Sequence, residues 1–273
     1  MPGSERILSG MTKRYAVLGS PISHSKSPLI HLTAFSLLGV DASYQAIELA
    51  FDLQAFIESQ PQDFFGYSVT MPLKELALNF ADRADSLAIA AGAANTLIRT
   101  ETGWDAFNTD VFGIQKATTV LKFKSVSIIG TGATARSAIV AMQELGKSVS
   151  VWGRNQTALA QLAAEFEVNT HSQLHKACEA DLVISTLPPK ALDGLAAELR
   201  TAPKGYLLDV AYDPWPSKAA ELWGLEKTVS GIEMLIWQAI GQQRLFAGHD
   251  LDEPLGNEKE LLLAIRTALN MAK

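Results

Sequence analysis

A glycine-rich turn places the tightest constraint on how this chain can fold. The apolar run Val126–Ile129 leads directly into G-T-G-A-T-A at residues 130–135, where a helical pattern begins. In such a G-x-G-x-x-A turn, Gly130 permits the tight bend, Gly132 lets a pyrophosphate approach the backbone, and Ala135 lets helix and strand pack closely. The sequence therefore predicts a strand, a turn and a helix whose N-terminus holds the phosphates of a dinucleotide.

The strand that follows this predicted helix ends without an acidic residue. NAD sites usually carry Asp or Glu about 20 residues beyond the turn, where the carboxylate holds the ribose 2′-hydroxyl. Here the predicted strand Ser148–Trp152 is followed by G-R-N at residues 153–155, so that Arg154 stands where a 2′-phosphate would lie. Because a guanidinium binds phosphate oxygens in a bidentate way, the pattern favours NADP over NAD. A solvated loop arginine is the alternative.

Strand and helix patterns alternate along the chain from Met11 onward. The predicted strands are Tyr15–Gly19, Tyr44–Leu49, Gly66–Val69, Thr96–Arg99, Trp104–Phe107, Val126–Ile129, Ser148–Trp152, Leu182–Ser185 and Tyr206–Asp209. The predicted helices are Pro28–Leu38, Leu53–Ser59, Ala133–Leu145, Ala158–Phe166 and most of Ile232–Lys273. The turn E-T-G at residues 101–103 predicts a hairpin between its two flanking strands.

Two consecutive series of strands and helices predict an α/β protein built from two parallel units, with ligands at the carboxyl ends of the strands. We expect an N-terminal substrate-binding domain at residues 1–108, joined by the C-terminal helices of residues 240–273. We expect a Rossmann-type, doubly wound nucleotide-binding domain at residues 109–239.

Composition excludes several classes of protein. The 273 residues suffice for two domains at roughly 150 residues each. A formal charge of −6 argues against nucleic-acid and anionic-membrane partners, which need a positive surface. No stretch of about 18 apolar residues is present to span a bilayer. The single cysteine, Cys178, forms no intrachain disulfide and favours the cytosol. Residues 1–10 lack the apolar region of a signal peptide, and we expect a lead-in there.

Four segments of the first half carry polar groups suited to a small ligand. S-H-S-K-S-P at residues 23–28 follows the first strand, and its hydroxyls suit a carboxylate or a polyol, with an ordinary capped turn as the alternative. In V-T-M-P-L-K at residues 69–74, a strand and a turn would hold Lys74 at a helix start, over the strand ends. The other two are G-A-A-N-T at residues 92–96 and N-T-D at residues 108–110.

These segments, together with the glycine-rich turn, resemble the shikimate dehydrogenase family over essentially the whole chain from residue 12. The resemblance continues through S-T-L-P at residues 185–188, D-V-A-Y-D-P at residues 209–214 and G-I-E-M-L-I-W-Q-A at residues 231–239. It implies a reversible hydride transfer between NADP(H) and shikimate, giving 3-dehydroshikimate, on the pathway to chorismate and the aromatic amino acids.

The resemblance also implies roles for particular residues. Lys74 and Asp110 would be the catalytic pair, and Ser25 and Ser27 would hold the substrate carboxylate. The remaining contacts to the hydroxyls and ring of the substrate would come from Thr70, Asn95, Asp110, Tyr212 and Gln238. The residues that would contact the cofactor are Gly130, Gly132, Ala133, Arg154 and Met234, with Gly231 lining the nicotinamide end.

Departures from the family pattern concern the cofactor. Thr131 and Thr134 stand where the family often has Ala and Gly, and Ala158 replaces a second basic residue.

No metal is expected, because His171 and His175 lack the glutamate of an H-E-x-x-H site.

Two other functions remain open beside the leading one. A quinate/shikimate dehydrogenase preferring NAD often changes one serine of the S-K-S pair, whereas Ser25 and Ser27 are both present. A non-catalytic nucleotide-binding regulator would be expected to lack Lys74 or Asp110, and both are present. Monomer and homodimer are both compatible with the family.

Overall fold

A computed structural model describes residues 12–199 and 201–271 of the chain. The lead-in expected at residues 1–10 lies outside the described residues. The strands are β1 (Lys13–Gly19), β2 (Ala42–Glu48), β3 (Phe64–Val69), β4 (Arg83–Ala84), β5 (Thr96–Arg99), β6 (Trp104–Phe107), β7 (Ser125–Ile129), β8 (Ser148–Trp152), β9 (Asn169–Thr170), β10 (Leu182–Ser185), β11 (Tyr206–Asp209) and β12 (Thr228–Ser230).

The helices begin and end close to the predicted positions where the sequence pattern was strong. They are α1 (Ser27–Leu38), α2 (Leu53–Ser59), α3 (Lys74–Phe80), α4 (Ser86–Ala91), α5 (Thr109–Thr118), α6 (Ala133–Glu144), α7 (Gln156–Phe166), α8 (Leu174–Ala177), α9 (Ala191–Ala196), α10 (Lys218–Trp223), α11 (Gly231–Phe246) and α12 (Glu258–Ala268). Among the described residues, no helix combines the length and the apolar character needed to cross a membrane.

The first sheet has the strand order β2-β1-β3-β5-β6-β4. Strands β1, β2 and β3 pair in parallel, whereas β5 pairs antiparallel with both β3 and β6. The hairpin predicted from the E-T-G turn is therefore confirmed. The sheet is mixed, where the alternating pattern predicted a parallel one, because so short a connection between β5 and β6 can join only antiparallel neighbours.

The second sheet has the order β12-β11-β10-β7-β8-β9, and all its strands are parallel. The chain enters at β7, adds β8 and β9 on one side, and then adds β10, β11 and β12 on the other. This is the strand order of a doubly wound Rossmann-type domain, so the predicted fold class is confirmed. The order reverses between β7 and β10, which is where such sheets bind their ligands.

Two compact units divide the described chain between them. The first contains residues 12–85, Ala94–Phe107 and residues 239–271, and the second contains Ser86–Ala93 and Asn108–Gln238. Helix α12 packs on α1, so the C-terminal helices return to the first unit as expected.

The division differs from the expected domains at the segment Ser86–Ala93 and at two single residues, Asn108 and Ala239. This segment belongs with the second unit because Ala91 is fully buried in that unit's core. The guanidinium of Arg136 adds to this attachment, since its Nε donates to the main-chain oxygen of Ala91 at 2.6 Å. Asn108, placed at the end of the first domain from sequence, likewise belongs to the second unit.

Candidate active site

Three chain segments of the first unit lie at one edge of its sheet. Strands β1 and β3 are parallel, so both end at this edge, and the antiparallel β5 begins there. The main-chain nitrogen of Thr70 donates to the main-chain oxygen of Leu18 at 2.8 Å. The main-chain nitrogen of Val69 donates to the main-chain oxygen of Asn95 at 2.7 Å. The geometry thus brings the segments that carry the predicted substrate residues of this unit together.

Ser25 and Ser27 lie in the turn between β1 and α1. Ser27 is buried and opens the helix, while Ser25 is half-buried. The main-chain nitrogen of Ser27 donates to Oγ of Ser25 at 3.2 Å. Two hydroxyls held in one turn next to a helix N-terminus are suited to an anionic group such as a carboxylate.

Lys74 begins helix α3, as its position after the strand and turn predicted. The lysine side chain is largely buried, with 8% of the residue exposed. Its main-chain oxygen accepts from the nitrogen of Ala94 at 2.9 Å, which holds the start of α3 beside the segment that leads into Asn95.

Asn95 is almost fully buried, at 2% exposure. Its Oδ1 accepts from Oγ1 of Thr96 at 2.9 Å. In this orientation, Nδ2 is the donor end of the Asn95 side chain. Thr70 follows β3 at the same edge and is half-buried.

Asp110 belongs to the second unit, in the first turn of α5, and only 4% of it is exposed. Asn108 caps this helix, since its Oδ1 accepts from the nitrogen of Val111 at 3.3 Å. The same side chain donates through Nδ2 to the main-chain oxygen of Ala93 at 2.8 Å and to Oγ of Ser137 at 3.0 Å. The position of Asp110 is therefore set by a cap that is itself buried and hydrogen-bonded.

Tyr212 and Gln238 also belong to the second unit. Tyr212 is half-buried in the loop after β11, and Gln238 lies on α11 with 7% exposure, donating to the main-chain oxygen of Leu235 at 2.9 Å. The buried carboxylate of Asp209 holds the loop around Tyr212, because it accepts from the nitrogen of Ala211 at 3.3 Å and from Oγ of Ser217 at 2.9 Å. Burial raises the pKa of Asp209. Asp209 opens the D-V-A-Y-D-P motif, but no role was predicted for it from the sequence.

The glycine-rich turn follows β7 at the reversal of the second sheet. Gly130 has φ of +127°, a conformation that favours glycine, and its nitrogen donates to the oxygen of Trp152 at 2.9 Å. Gly132 is exposed, and a Cβ built there would have no atom within 4 Å, so open space lies over the backbone. Ala133 then starts α6, and Ala135 is fully buried. This geometry fits a pyrophosphate at a helix N-terminus.

Arg154 lies after β8, beside this turn. A Cβ on its neighbour Gly153 would lie 2.7 Å from Cγ2 of Thr131, which places the two loops in contact. Asn155 caps α7 by accepting from the nitrogen of Ala158 at 3.1 Å. Arg154 itself is exposed and forms no hydrogen bond or ion pair with the described residues. Its guanidinium can therefore meet a phosphate at this end of the sheet.

Gly231 and Met234 lie in the first turns of α11. A Cβ on Gly231 would run into the main-chain oxygen of Val210, so only glycine fits at this approach. The side chain of Met234 is buried in the hydrophobic core of the second unit together with Val111. The structure thus places Met234 among core residues, whereas Gly132 and Arg154 are exposed. Across the described residues, no group of three or more His, Cys, Asp or Glu could hold a metal ion.

Each of the two units contains a region that matches a known protein family. Residues 17–97 match the family described as the shikimate dehydrogenase substrate binding domain. Residues 125–212 match the family described as NADP oxidoreductase, coenzyme F420-dependent.

Individual relatives match nearly the whole chain. The NADP(+) shikimate dehydrogenase of Thermus thermophilus is 34% identical over 94% of this chain and 99% of its own length. A crystal structure of the Mycobacterium tuberculosis shikimate dehydrogenase has a TM-score of 0.82 at 36% identity, covering 94% of this chain and 99% of that one. A Thermus thermophilus structure in complex with NADP(H) and shikimate has a TM-score of 0.82 at 32% identity, with coverage of 94% and 99%.

The doubly wound sheet, with its glycine-rich turn at the strand reversal, defines a dinucleotide-binding oxidoreductase class. Within that class, the sequence identity to shikimate dehydrogenases exceeds 30% over nearly the full length of this chain and of theirs. The chain belongs to the shikimate dehydrogenase family. The resemblance found in the sequence is thereby confirmed.

Proposed function

We propose that this protein catalyses the NADP-dependent, reversible oxidation of shikimate to 3-dehydroshikimate, a step towards chorismate and the aromatic amino acids. One observation carries the proposal: Ser25, Ser27, Lys74 and Asn95 come to one sheet edge in a chain that belongs to the family. The glycine-rich turn and Arg154 at the end of the second sheet support the choice of cofactor.

The reaction needs a group that moves a proton. When hydride leaves a secondary alcohol, the hydroxyl proton must leave as well, and in the reverse direction an acid must supply it. The hydride acceptor for the ring carbon would be supplied by NADP+, and the hydride donor of the reverse direction by NADPH, held by the residues of the glycine-rich turn and Arg154. We assign the proton to Nζ of Lys74, which gives it to the forming alkoxide during reduction and takes it from the hydroxyl during oxidation. Asp110 is assigned as the second member of the catalytic pair.

Substrate binding is assigned to the remaining polar residues. The hydroxyls of Ser25 and Ser27 are suited to the carboxylate of shikimate, because they share one turn at the start of α1. The residues assigned to the hydroxyls and ring of the substrate are Thr70, Asn95, Tyr212 and Gln238. Burial is consistent with this assignment, since Asn95 and Gln238 are 2% and 7% exposed and buried polar side chains are held in place by hydrogen bonds.

Cofactor binding is assigned to the second unit. The backbone at Gly130, Gly132 and Ala133 suits the pyrophosphate, and Arg154 suits the 2′-phosphate. Gly231 is assigned to the nicotinamide end of the cofactor. Met234 lies in the same first turns of α11 and is likewise assigned to the cofactor site.

A steady-state assay separates this function from its alternatives. NADP reduction is measured with shikimate, then with quinate, and then with NAD in place of NADP. Turnover with shikimate and NADP well above the other combinations supports the proposal. Efficient quinate oxidation with NAD would favour the quinate/shikimate alternative, and nucleotide binding without turnover would favour a regulator.

The compartment and assembly of the protein are further proposals. The buried, unpaired Cys178 fits the reducing cytoplasm, and a monomer or a homodimer fits the family. Sedimentation of the purified protein over a range of concentrations distinguishes the two assemblies.

A further inference from the structure

A buried amide on α11 makes an unusually complete set of hydrogen bonds within the first unit. Gln242 has 1% of its surface exposed. Its Oε1 lies 3.0 Å from Nε2 of His31 and 2.8 Å from Oγ of Ser68. Its Nε2 lies 3.1 Å from the main-chain oxygen of Asn95 and 2.9 Å from Oγ1 of Thr96. Both acceptor and both donor positions of the amide are therefore used.

The orientation of this amide follows from its neighbours. The main-chain oxygen of Asn95 can only accept, so the end of Gln242 that faces it must be the nitrogen. Oε1 then faces His31, and Nε2 of that histidine must donate. The other ring nitrogen, Nδ1, accepts from Nε2 of Gln243 at 2.7 Å. Burial lowers the pKa of His31 to about 3, which keeps the ring neutral and this tautomer populated.

The donor end of Gln242 acts on Asn95 through a second residue. Oγ1 of Thr96 accepts from Gln242, so the single hydroxyl proton of Thr96 is left to point elsewhere. It is donated to Oδ1 of Asn95 at 2.9 Å. The hydrogen bonds thus run in one direction, from His31 through Gln242 and Thr96 to the side-chain oxygen of Asn95.

We infer that Gln242 is a positioning residue that fixes the Asn95 amide with Nδ2 as its donor end, ready for a hydroxyl oxygen of the substrate. The inference rests on the proposed function, which assigns Asn95 to substrate. It goes further by explaining why this amide has one orientation. With Gln242 removed, the Thr96 hydroxyl is free to rotate and the main-chain oxygen of Asn95 loses a donor, so the hydrogen bond that orients the side-chain oxygen of Asn95 is weakened.

Gln243 provides a matched control. It lies next to Gln242 on the same helix, is equally buried at 1% exposure and bonds to the same histidine. Gln243→Met leaves the path from Gln242 to Asn95 intact, because methionine offers no acceptor that would make His31 change tautomer. A role confined to holding α11 predicts similar effects for Gln242→Met and Gln243→Met.

The test compares kinetics and stability in these two variants. We expect Gln242→Met to raise KM for shikimate about tenfold, the equivalent of about 1.4 kcal/mol, while kcat and KM for NADP change less than about threefold. Gln243→Met is expected to lower the melting temperature comparably and to leave KM for shikimate within about twofold. Thr96→Val keeps the shape of the side chain and removes only its hydroxyl, so it should reproduce most of the rise in KM.

A double-mutant cycle tests whether Gln242 affects substrate binding through Asn95. Because Gln242 acts on substrate only through Asn95, Gln242→Met is expected to add nothing to KM in an Asn95→Ala background. Additive effects, or equal KM values for the Gln242→Met and Gln243→Met variants, would overturn the inference. If Gln242→Met fails to fold, an unchanged KM in Thr96→Val overturns it instead. Absence of shikimate turnover in the wild-type protein would overturn the proposed function itself, and the inference with it.

Discussion

The guanidinium of Arg244 and the carboxylate of Glu258 form a buried, two-point ion pair between α11 and α12. Nε and Nη2 of the arginine lie 2.8 and 2.6 Å from the two carboxylate oxygens, and the side chains are only 4% and 13% exposed. Nη1 also donates to the main-chain oxygen of Leu251 at 2.6 Å. The pair therefore connects both helices and the loop between them.

We expect Arg244→Met to lower the free energy of unfolding by about 3–5 kcal/mol, because it leaves the Glu258 carboxylate buried without its partner. The double variant Arg244→Met with Glu258→Met removes both charges and should recover much of that loss. Urea unfolding of the three proteins measures both values. A single variant no less stable than the double one would show that the cost comes from lost packing and not from an unpaired charge.

Replacing Lys74 tests the assignment of proton transfer. Lys74→Ala leaves the main-chain bond from Ala94 and the serines in place, so substrate binding should survive. We expect kcat to fall by about 10² or more, the usual contribution of a positioned acid or base, with a much smaller change in KM. Lys26→Ala, at an exposed lysine of the serine-containing turn, serves as the control. Turnover near that of the wild type in the Lys74 variant would rule out this role.

The serine pair gives a prediction about binding. Ser25→Ala combined with Ser27→Ala should raise KM for shikimate strongly, because each hydrogen bond to a charged group contributes roughly 1.5–3 kcal/mol. Melting temperatures are recorded in parallel, since Ser27 is buried at the start of α1. If the double variant binds shikimate as tightly as the wild type, the carboxylate lies elsewhere.

His31 makes the stability of the first unit depend on pH. Its pKa is about 3 in the folded protein and 6.5 in a model compound, so the unfolded chain binds a proton that the folded chain does not. Stability from this group is complete above pH 6.5 and falls, as pH decreases towards 3, by up to about 1.4 kcal/mol per unit. We expect His31→Gln to flatten the fall between pH 6.5 and 5, where carboxylates contribute little.

The sequence predicted those parts of the fold and site that are local in the chain. The turn at residues 130–135 and the start of α3 at Lys74 each depend on a few consecutive residues, and both were predicted correctly. Helix α4 was not predicted, since it is short and its place in the second unit depends on Arg136, far along the chain. Gln242 was missed for a similar reason: its partners Thr96 and His31 are 146 and 211 positions away. From sequence it is one of several polar residues on α11, and nothing in the neighbouring sequence distinguishes it from Gln243.

Arg154 gives the prediction about cofactor choice. No carboxylate follows β8 to repel a 2′-phosphate, and the exposed guanidinium has no partner among the described residues. We expect NADP to be preferred over NAD by tens- to hundreds-fold, roughly 2–3 kcal/mol, because a single exposed cation contributes modestly.

Arg154→Ala should remove most of this preference by weakening NADP while NAD is nearly unaffected. Specificity constants for both cofactors, measured in both proteins at one ionic strength, decide the point. Asn155→Ala is a useful comparison, since it removes the α7 cap beside Arg154 but no charge, and it should weaken both cofactors alike if it affects either. Equal weakening of NADP and NAD by Arg154→Ala would mean that the guanidinium contacts a part common to both, such as the adenine or the pyrophosphate.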